Sequence, residues 1–184
     1  MMKILDIGCG IEKQDDSIGI DINPRSNADV IHDLNIFPYP FENNLFDVIY
    51  CTSVIEHLDN VIKVLEEIYR IGKNGAVVKI TVPFYKNWVA FTDPTHIHFF
   101  TSSSFDYFDK TKLLSKYKYS SINFKIINVE YKKNISGKLK FWDKFWLSFA
   151  NKNKYLFEER FTPFFVPEDI YFELIVDKTI KLNE

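Results

Sequence analysis

The chain has 184 residues, of which 46% are hydrophobic and 26% charged, with a formal net charge of −2. That length suits one domain with a substantial core, and the near-neutral balance excludes a global pull toward nucleic acid. Cys9 and Cys51 show no metal-ligand spacing and give no disulfide framework, no signal-peptide pattern is found, and no apolar run approaches the ~20 residues of a membrane span, so a cytoplasmic setting is expected.

Residues 3–8 read as a first strand running into Gly8-Cys9-Gly10. Glycines there let the backbone turn tightly and approach a ligand with no Cβ in the way. Residues 17–22 read as a second strand with Asp21 at its tip, where a carboxylate can accept hydrogen bonds from ribose hydroxyls. The two pieces together point to a nucleoside-containing cofactor. Residues 29–32 read as a short third strand. Phe46-Asp47-Val48-Ile49-Tyr50-Cys51 is apolar and β-branched, as in a strand buried on both faces. A helix is predicted over residues 59–71 from the spacing of Val61, Val64, Leu65, Ile68 and Ile71, with Asp59 as its cap and Gly72 as its stop. Residues 76–82 read as a fifth strand stopped by Pro83. Residues 122–131 and 169–177 read as two more strands, and residues 140–150 between them as a helix. Strands alternating with a helix, then strands near the end, make an α/β domain.

The first connections are too short. Parallel neighbours need a crossover of about a dozen residues or more, usually a helix. Between the first and second strands there is room for one helical turn at best, and between the second and third almost nothing. One sheet face should therefore lack its helices. Leaving that much apolar surface wet is unfavourable, so either the aromatic-rich second half or another subunit should cover it. Aromatic residues make 17% of the chain, and most follow Pro83.

In order, the motifs resemble those of class I S-adenosylmethionine-dependent methyltransferases. Leu5-Asp6-Ile7-Gly8-Cys9-Gly10 resembles their first motif and Gly19-Ile20-Asp21-Ile22-Asn23 their second. Asp29-Val30-Ile31-His32-Asp33-Leu34 resembles the third, and the strand ending at Cys51 the fourth. Val54-Ile55-Glu56-His57-Leu58 and residues 65–70 and 75–82 match the helix and strand that follow, so the resemblance spans roughly residues 1–83. It implies a Rossmann-like sheet, mostly parallel with an antiparallel C-terminal strand, here with shortened first crossovers. It also implies that Asp6, Gly8, Cys9 and Gly10 form the loop beside the methionine moiety, with Asp6 orienting the ammonium end. Asp21 would hold the ribose and Ile22 would pack on adenine. Asp33 and Leu34 would meet the adenine edge, and Cys51 and Thr52 would line the methionine side through backbone atoms. The sequence departs from the family pattern at Glu12, where a third glycine is usual. Lys13 stands where a dinucleotide-binding Gly-x-Gly-x-x-Gly would need its last glycine, which disfavours a dehydrogenase.

The expected organisation is one domain over residues 1–184: a cofactor half at 1–83, an aromatic-rich acceptor or cover region at 84–168, and a final strand at 169–178. Asp93-Pro94-Thr95-His96 followed by Phe100-Thr101 resembles a stretch in a methyltransferase branch associated with surface-glycan biosynthesis. His96, rather than His98, falls on that motif and is the candidate base or acceptor-orienting group, with Glu56 and His57 next. No metal is assigned. Residues 110–160 carry an excess of positive charge among aromatics, and Phe141, Trp142, Phe145, Trp146 and Phe149 share one helical face. That face can cover the bare sheet, lie on a membrane surface or, with the lysines, meet RNA. The leading expectation is methyl transfer from S-adenosylmethionine to an oxygen, and secondarily a nitrogen, of a small molecule or glycan, with a homodimer through the poorly covered sheet face as an open arrangement. The alternatives are an RNA methyltransferase and a non-catalytic subunit that binds the cofactor or serves as a scaffold.

Overall fold

The apolar runs become strands of one sheet in the computed structural model, which describes residues 2–133 and 139–179. The strands are β1 (Ile4–Ile7), β2 (Ser17–Asp21), β3 (Val30–Ile31), β4 (Phe46–Thr52), β5 (Gly72–Pro83), β6 (Phe124–Lys132) and β7 (Asp169–Val176). Their spatial order is β3-β2-β1-β4-β5-β7-β6. Neighbours from β3 through β5 pair in parallel, whereas β7 runs antiparallel to both β5 and β6. The expected α/β class, the mostly parallel sheet and the antiparallel C-terminal strand are all present. Chain order reverses at β1, which has β2 on one side and β4 on the other. Such a switch point leaves a crevice at the carboxyl ends of the strands.

Strand alternation sends Leu5, Ile7, Ile49, Cys51, Val78, Ile80, Phe172 and Leu174 to one face, where all are buried. Helix α1 (Val61–Ile71), the β4-to-β5 crossover, seals this face with Val64, Leu65, Ile68 and Ile71. Its cap is a correction to the sequence reading. Asn60, not Asp59, accepts the Lys63 N–H through its side chain. Gly72 ends the helix with extended backbone and starts β5 directly.

No helix lies in the β1–β2 or β2–β3 connection, so the shortened crossovers hold. The opposite sheet face is correspondingly bare. Ile4, Val48, Tyr50, Val77, Lys79, Thr81, Tyr171, Glu173 and Ile175 on it are all only partly buried. The chain exposes 10803 Å², against about 9,300 Å² for a globular monomer of its mass. The aromatic second half does not fold over this face. Phe105 packs on Phe172 with ring centroids 4.7 Å apart and Tyr69 on Phe124 at 5.6 Å, so the aromatics thicken the layer that α1 already covers.

The helix predicted at 140–150 is α2 (Phe141–Lys152). Trp146 and Phe149 turn inward onto Phe161, while Phe141, Trp142 and Phe145 stay exposed. Among the described residues, no helix is long and apolar enough to cross a membrane.

Candidate active site

Three adjoining clefts open around the switch point. The first, of about 330 Å³, is lined by Gly8, Asp21, Ile22, Asp33, Leu34, Asn35, Ser53, Val54, His57 and Leu58. The second, of about 220 Å³, shares Gly8 and adds Asp6, Cys9, Glu12, Gln14 and Thr52. The third, of about 630 Å³, shares Ser53 and His57 with the first and adds Glu56, Pro83, Val89, Thr92, Asp93, Pro94, His96, Glu168 and Asp169.

Gly8 is the pivot. Its φ is +65°, a left-handed conformation that L side chains rarely adopt, and a Cβ there would collide with the Val54 methyls. Gly10 also has positive φ, and its N–H donates to Asp21 Oδ2 at 2.8 Å. Asn23 N–H donates to Asp21 Oδ1 at 2.8 Å. An ionised carboxylate has about four acceptor sites, so Asp21 keeps lone pairs for a ligand. Ile22 is 61% exposed beside it, an apolar surface with no protein partner for most of its area. The Tyr39 hydroxyl donates to the Leu34 carbonyl at 3.0 Å, and Tyr39 N–H donates to Glu67, itself paired with Arg70. That buried chain fixes the floor that carries Asp33 and Leu34.

Asp6 is buried, accepts the Gln14 N–H at 2.9 Å, and has its carboxyl pushed up by burial. Lys13, the residue at the missing glycine, pairs with Asp29 at 2.7 Å, away from all three clefts. Asp29 also accepts the Gly19 N–H, and that bond together with Lys13 holds its carboxyl low. Cys51 points into the core, where burial drives its thiol pKa up.

In the third cleft the turn Asp93-Pro94-Thr95-His96 docks on Glu56-His57. The backbone N–H groups of Ile97 and His98 both donate to the Glu56 carbonyl. Thr95 Oγ1 donates to Asp93 Oδ1 at 2.6 Å and therefore accepts from His57 Nδ1 at 2.8 Å. The Ala90 carbonyl accepts from His96 Nδ1 at 2.9 Å. Both histidines are thus fixed with Nδ1 protonated, which leaves each Nε2 with a lone pair. Burial, then the neighbouring His96, lowers the His57 pKa. His96 lines the cleft, whereas His98 is not among its lining residues.

Glu56 is 1% exposed, and among the described residues neither carboxylate oxygen has a hydrogen-bond partner. Burial pushes its pKa from 4.5 up to about 7. Between those values the folded state holds a proton that the unfolded chain releases, so stability falls as pH rises from about 4.5 to 7. Glu56→Gln removes this penalty. We expect a gain of about 3 kcal/mol at pH 8 and under about 1 kcal/mol at pH 5, read by urea unfolding in chelator-treated buffer. An equal gain at both pH values would contradict it.

The structure brings together most of the residues singled out in the sequence. Gly8, Asp21, Ile22, Asp33 and Leu34 share the first cleft. Asp6, Cys9 and Thr52 join Gly8 in the second, and Glu56, His57 and His96 line the third. Gly10 and Cys51 line none of these three clefts. The sequence reading gave no site role to Ser53, Val54, Thr95 or Asp169. Only Ser53 leaves a backbone mark, a φ of +52° where β4 hands over to the next turn. The cradle fits a nucleoside bearing a cationic tail: carboxylates line all three clefts, and no Lys or Arg does.

A family model described as "Methyltransferase domain" matches residues 1–107. A 49-residue stretch is 45% identical to an uncharacterized protein of Methanocaldococcus jannaschii; it covers 26% of this chain and about a fifth (21%) of that curated relative. An S-adenosylmethionine-dependent methyltransferase from Archaeoglobus fulgidus superposes with a TM-score of 0.57 at 19% identity, covering 95% of this chain and 86% of that one. One from Thermotoga maritima gives a TM-score of 0.59 at 14% identity, covering 96% and 83%. At these identities the structural likeness shows the fold.

Proposed function

The chain belongs to the methyltransferase-domain family, whose cofactor is S-adenosylmethionine, and on that premise we propose that it moves a methyl group to an oxygen, and secondarily a nitrogen, of a small molecule or glycan. The observation that carries the proposal is the run of three clefts joined through Gly8, Ser53 and His57. When bound, S-adenosylmethionine supplies a methyl group already activated on a sulfonium. Asp21 holds the ribose hydroxyls, Asp33 accepts from the adenine amine, Ile22 and Leu34 pack on the ring, and Asp6 orients the ammonium end. Gly10 shapes the loop through its bond to Asp21, and Cys51 and Thr52 contribute backbone. His96, with its Nε2 lone pair free, takes the acceptor proton, while His57 and Glu56 orient the acceptor. Holding the acceptor in line is worth up to about 7–11 kcal/mol of the barrier. In this reading residues 1–83 bind the cofactor, and the region at 84–168 supplies the acceptor wall.

The carboxylate lining with no Lys or Arg favours an uncharged acceptor over a polyphosphate one. The ridge of Phe141, Trp142, Phe145 and Phe164, all at least half-exposed and flanked by Lys140 and Lys144, supports a lipid-linked acceptor met at a membrane surface. The bare sheet face, with Lys79 paired to Glu173 in register across β5 and β7, supports a homodimer in which those charges meet their counterparts across a two-fold axis.

Calorimetric titration with S-adenosylmethionine and S-adenosylhomocysteine, with NAD as control, tests the cofactor. Micromolar binding of the first two and none of NAD is expected, followed by methyl transfer in a screen that begins with glycans. Absence of binding would move the non-catalytic scaffold to the front.

A further inference from the structure

The third cleft contains an arrangement that proton transfer alone does not require. Glu56, His57 and His96 each bring a ligand atom within 4.8 Å of the other two. The Glu56 side chain is buried, lines the cleft, and leaves both oxygens without a partner among the described residues. An unpaired buried carboxylate is costly, and a compensating positive group belongs beside it. Among the described residues no Lys or Arg lines the cleft.

We propose that Glu56, His57 and His96 form a binding site for a divalent first-row transition-metal ion. The two imidazoles are already set as metal ligands. Each is tied through Nδ1, to Thr95 and to the Ala90 carbonyl, so each offers Nε2. Metal-bound histidines characteristically have such outer partners, which fix tautomer and ring orientation. Asp93 extends this outer support, because it accepts the Thr95 hydroxyl proton and orients His57 through it. Ligand atoms around a four-coordinate zinc-sized ion stand roughly 3–3.5 Å apart, against separations of up to 4.8 Å here, so binding would draw the three side chains together. Two imidazoles and one carboxylate select zinc, manganese, cobalt or iron over magnesium. Three protein ligands leave coordination positions open to the cleft, where water or an acceptor oxygen can enter. The proposal deepens the acceptor-side reading above and rests on it for the site's purpose, but not for its existence; a bound ion would engage the Nε2 lone pairs of His57 and His96, so the proton-accepting role given to His96 belongs to the ion-free protein, and in the loaded protein the ion would orient the acceptor and make its proton easier to lose.

The test uses the full chain, stripped with chelator and dialysed, and titrated with Co²⁺ by visible absorption and with Zn²⁺, Mn²⁺ and Mg²⁺ by calorimetry. We expect one Co²⁺ per chain with ligand-field bands of a nitrogen/oxygen site, Zn²⁺ affinity in the micromolar range or tighter, and much weaker Mg²⁺. Glu56→Gln, His57→Gln and His96→Gln should each weaken Zn²⁺ at least tenfold, and Thr95→Val should weaken it about tenfold by releasing His57. His32→Gln, remote from the cleft, should leave it unchanged. Circular dichroism melts confirm that each variant folds. S-adenosylmethionine titrated into the same stripped protein separates the two readings, since its binding does not depend on the ion. Absence of stoichiometric binding, binding indifferent to the three substitutions, or a preference for Mg²⁺ would each overturn the proposal.

Discussion

Gly8→Ala is expected to destabilise the protein by about 2–5 kcal/mol and to weaken S-adenosylmethionine binding at least a hundredfold. Two costs add. A left-handed φ costs a Cβ-bearing residue roughly 1–2 kcal/mol, and forcing a methyl into an occupied position costs roughly 1–3 kcal/mol more. The second cost falls on Val54, whose methyls the new Cβ would strike, and Val54 lines the first cleft. The clash is therefore relieved only by deforming the cleft. Gly10→Ala is the internal comparison. Its φ is also positive, but nothing lies within 4 Å of the added Cβ, so only the backbone cost of about 1–2 kcal/mol applies. Urea unfolding and calorimetry on both variants decide the matter. Equal losses would mean that Val54 contributes nothing and that backbone strain is the whole effect.

His96→Gln is expected to lower the rate of methyl transfer by about 10²–10⁴-fold while leaving S-adenosylmethionine affinity within a factor of two. The separation follows from position: His96 lines the third cleft and not the first or second. Glutamine can keep a donor toward the Ala90 carbonyl, which accepts from His96 Nδ1, but it offers no basic nitrogen. His57→Gln should cost less in rate, because His57 lies on the border of two clefts and is held by Thr95. A His96→Gln enzyme with near-normal turnover would assign His96 to holding the turn at Asp93 and nothing more.

The cofactor side of the molecule was legible in the sequence because its chemistry is local. A strand, two glycines at positive φ and an acidic strand tip lie within about twenty residues, and each has a backbone reason to be where it is. The acceptor side was only partly legible. Glu56 and His96 are 40 positions apart in the chain, and two of the bonds that join their segments are backbone ones, from the Ile97 and His98 N–H groups to the Glu56 carbonyl, which leave no trace in residue type. Thr95, quoted only as part of a motif, received no role for a related reason: its hydroxyl matters only because Asp93 takes its proton and turns its lone pair toward His57. The helix cap went to the wrong neighbour because Asp59 and Asn60 are both good caps, and Asp59 instead spends its N–H on Asn35 Oδ1. The destination of the aromatic half was misread more deeply. Handedness rules place a helix that crosses between parallel strands on one face, but a loop with no helix carries no such instruction. The sequence shows that a face is uncovered without showing which later segment avoids it.

That one-sided sheet shapes the energetics of the whole chain. With a single packed layer against seven strands, unfolding uncovers less new surface per residue than in a sheet covered on both sides. The denaturant slope and the heat-capacity increment of unfolding, both proportional to that surface, should fall below what 184 residues ordinarily give. A smaller increment flattens the stability curve, so the protein should trade peak stability for constancy over a wide temperature range. If two copies meet through the wet face, the missing increment returns on association, and the melting temperature then rises with protein concentration.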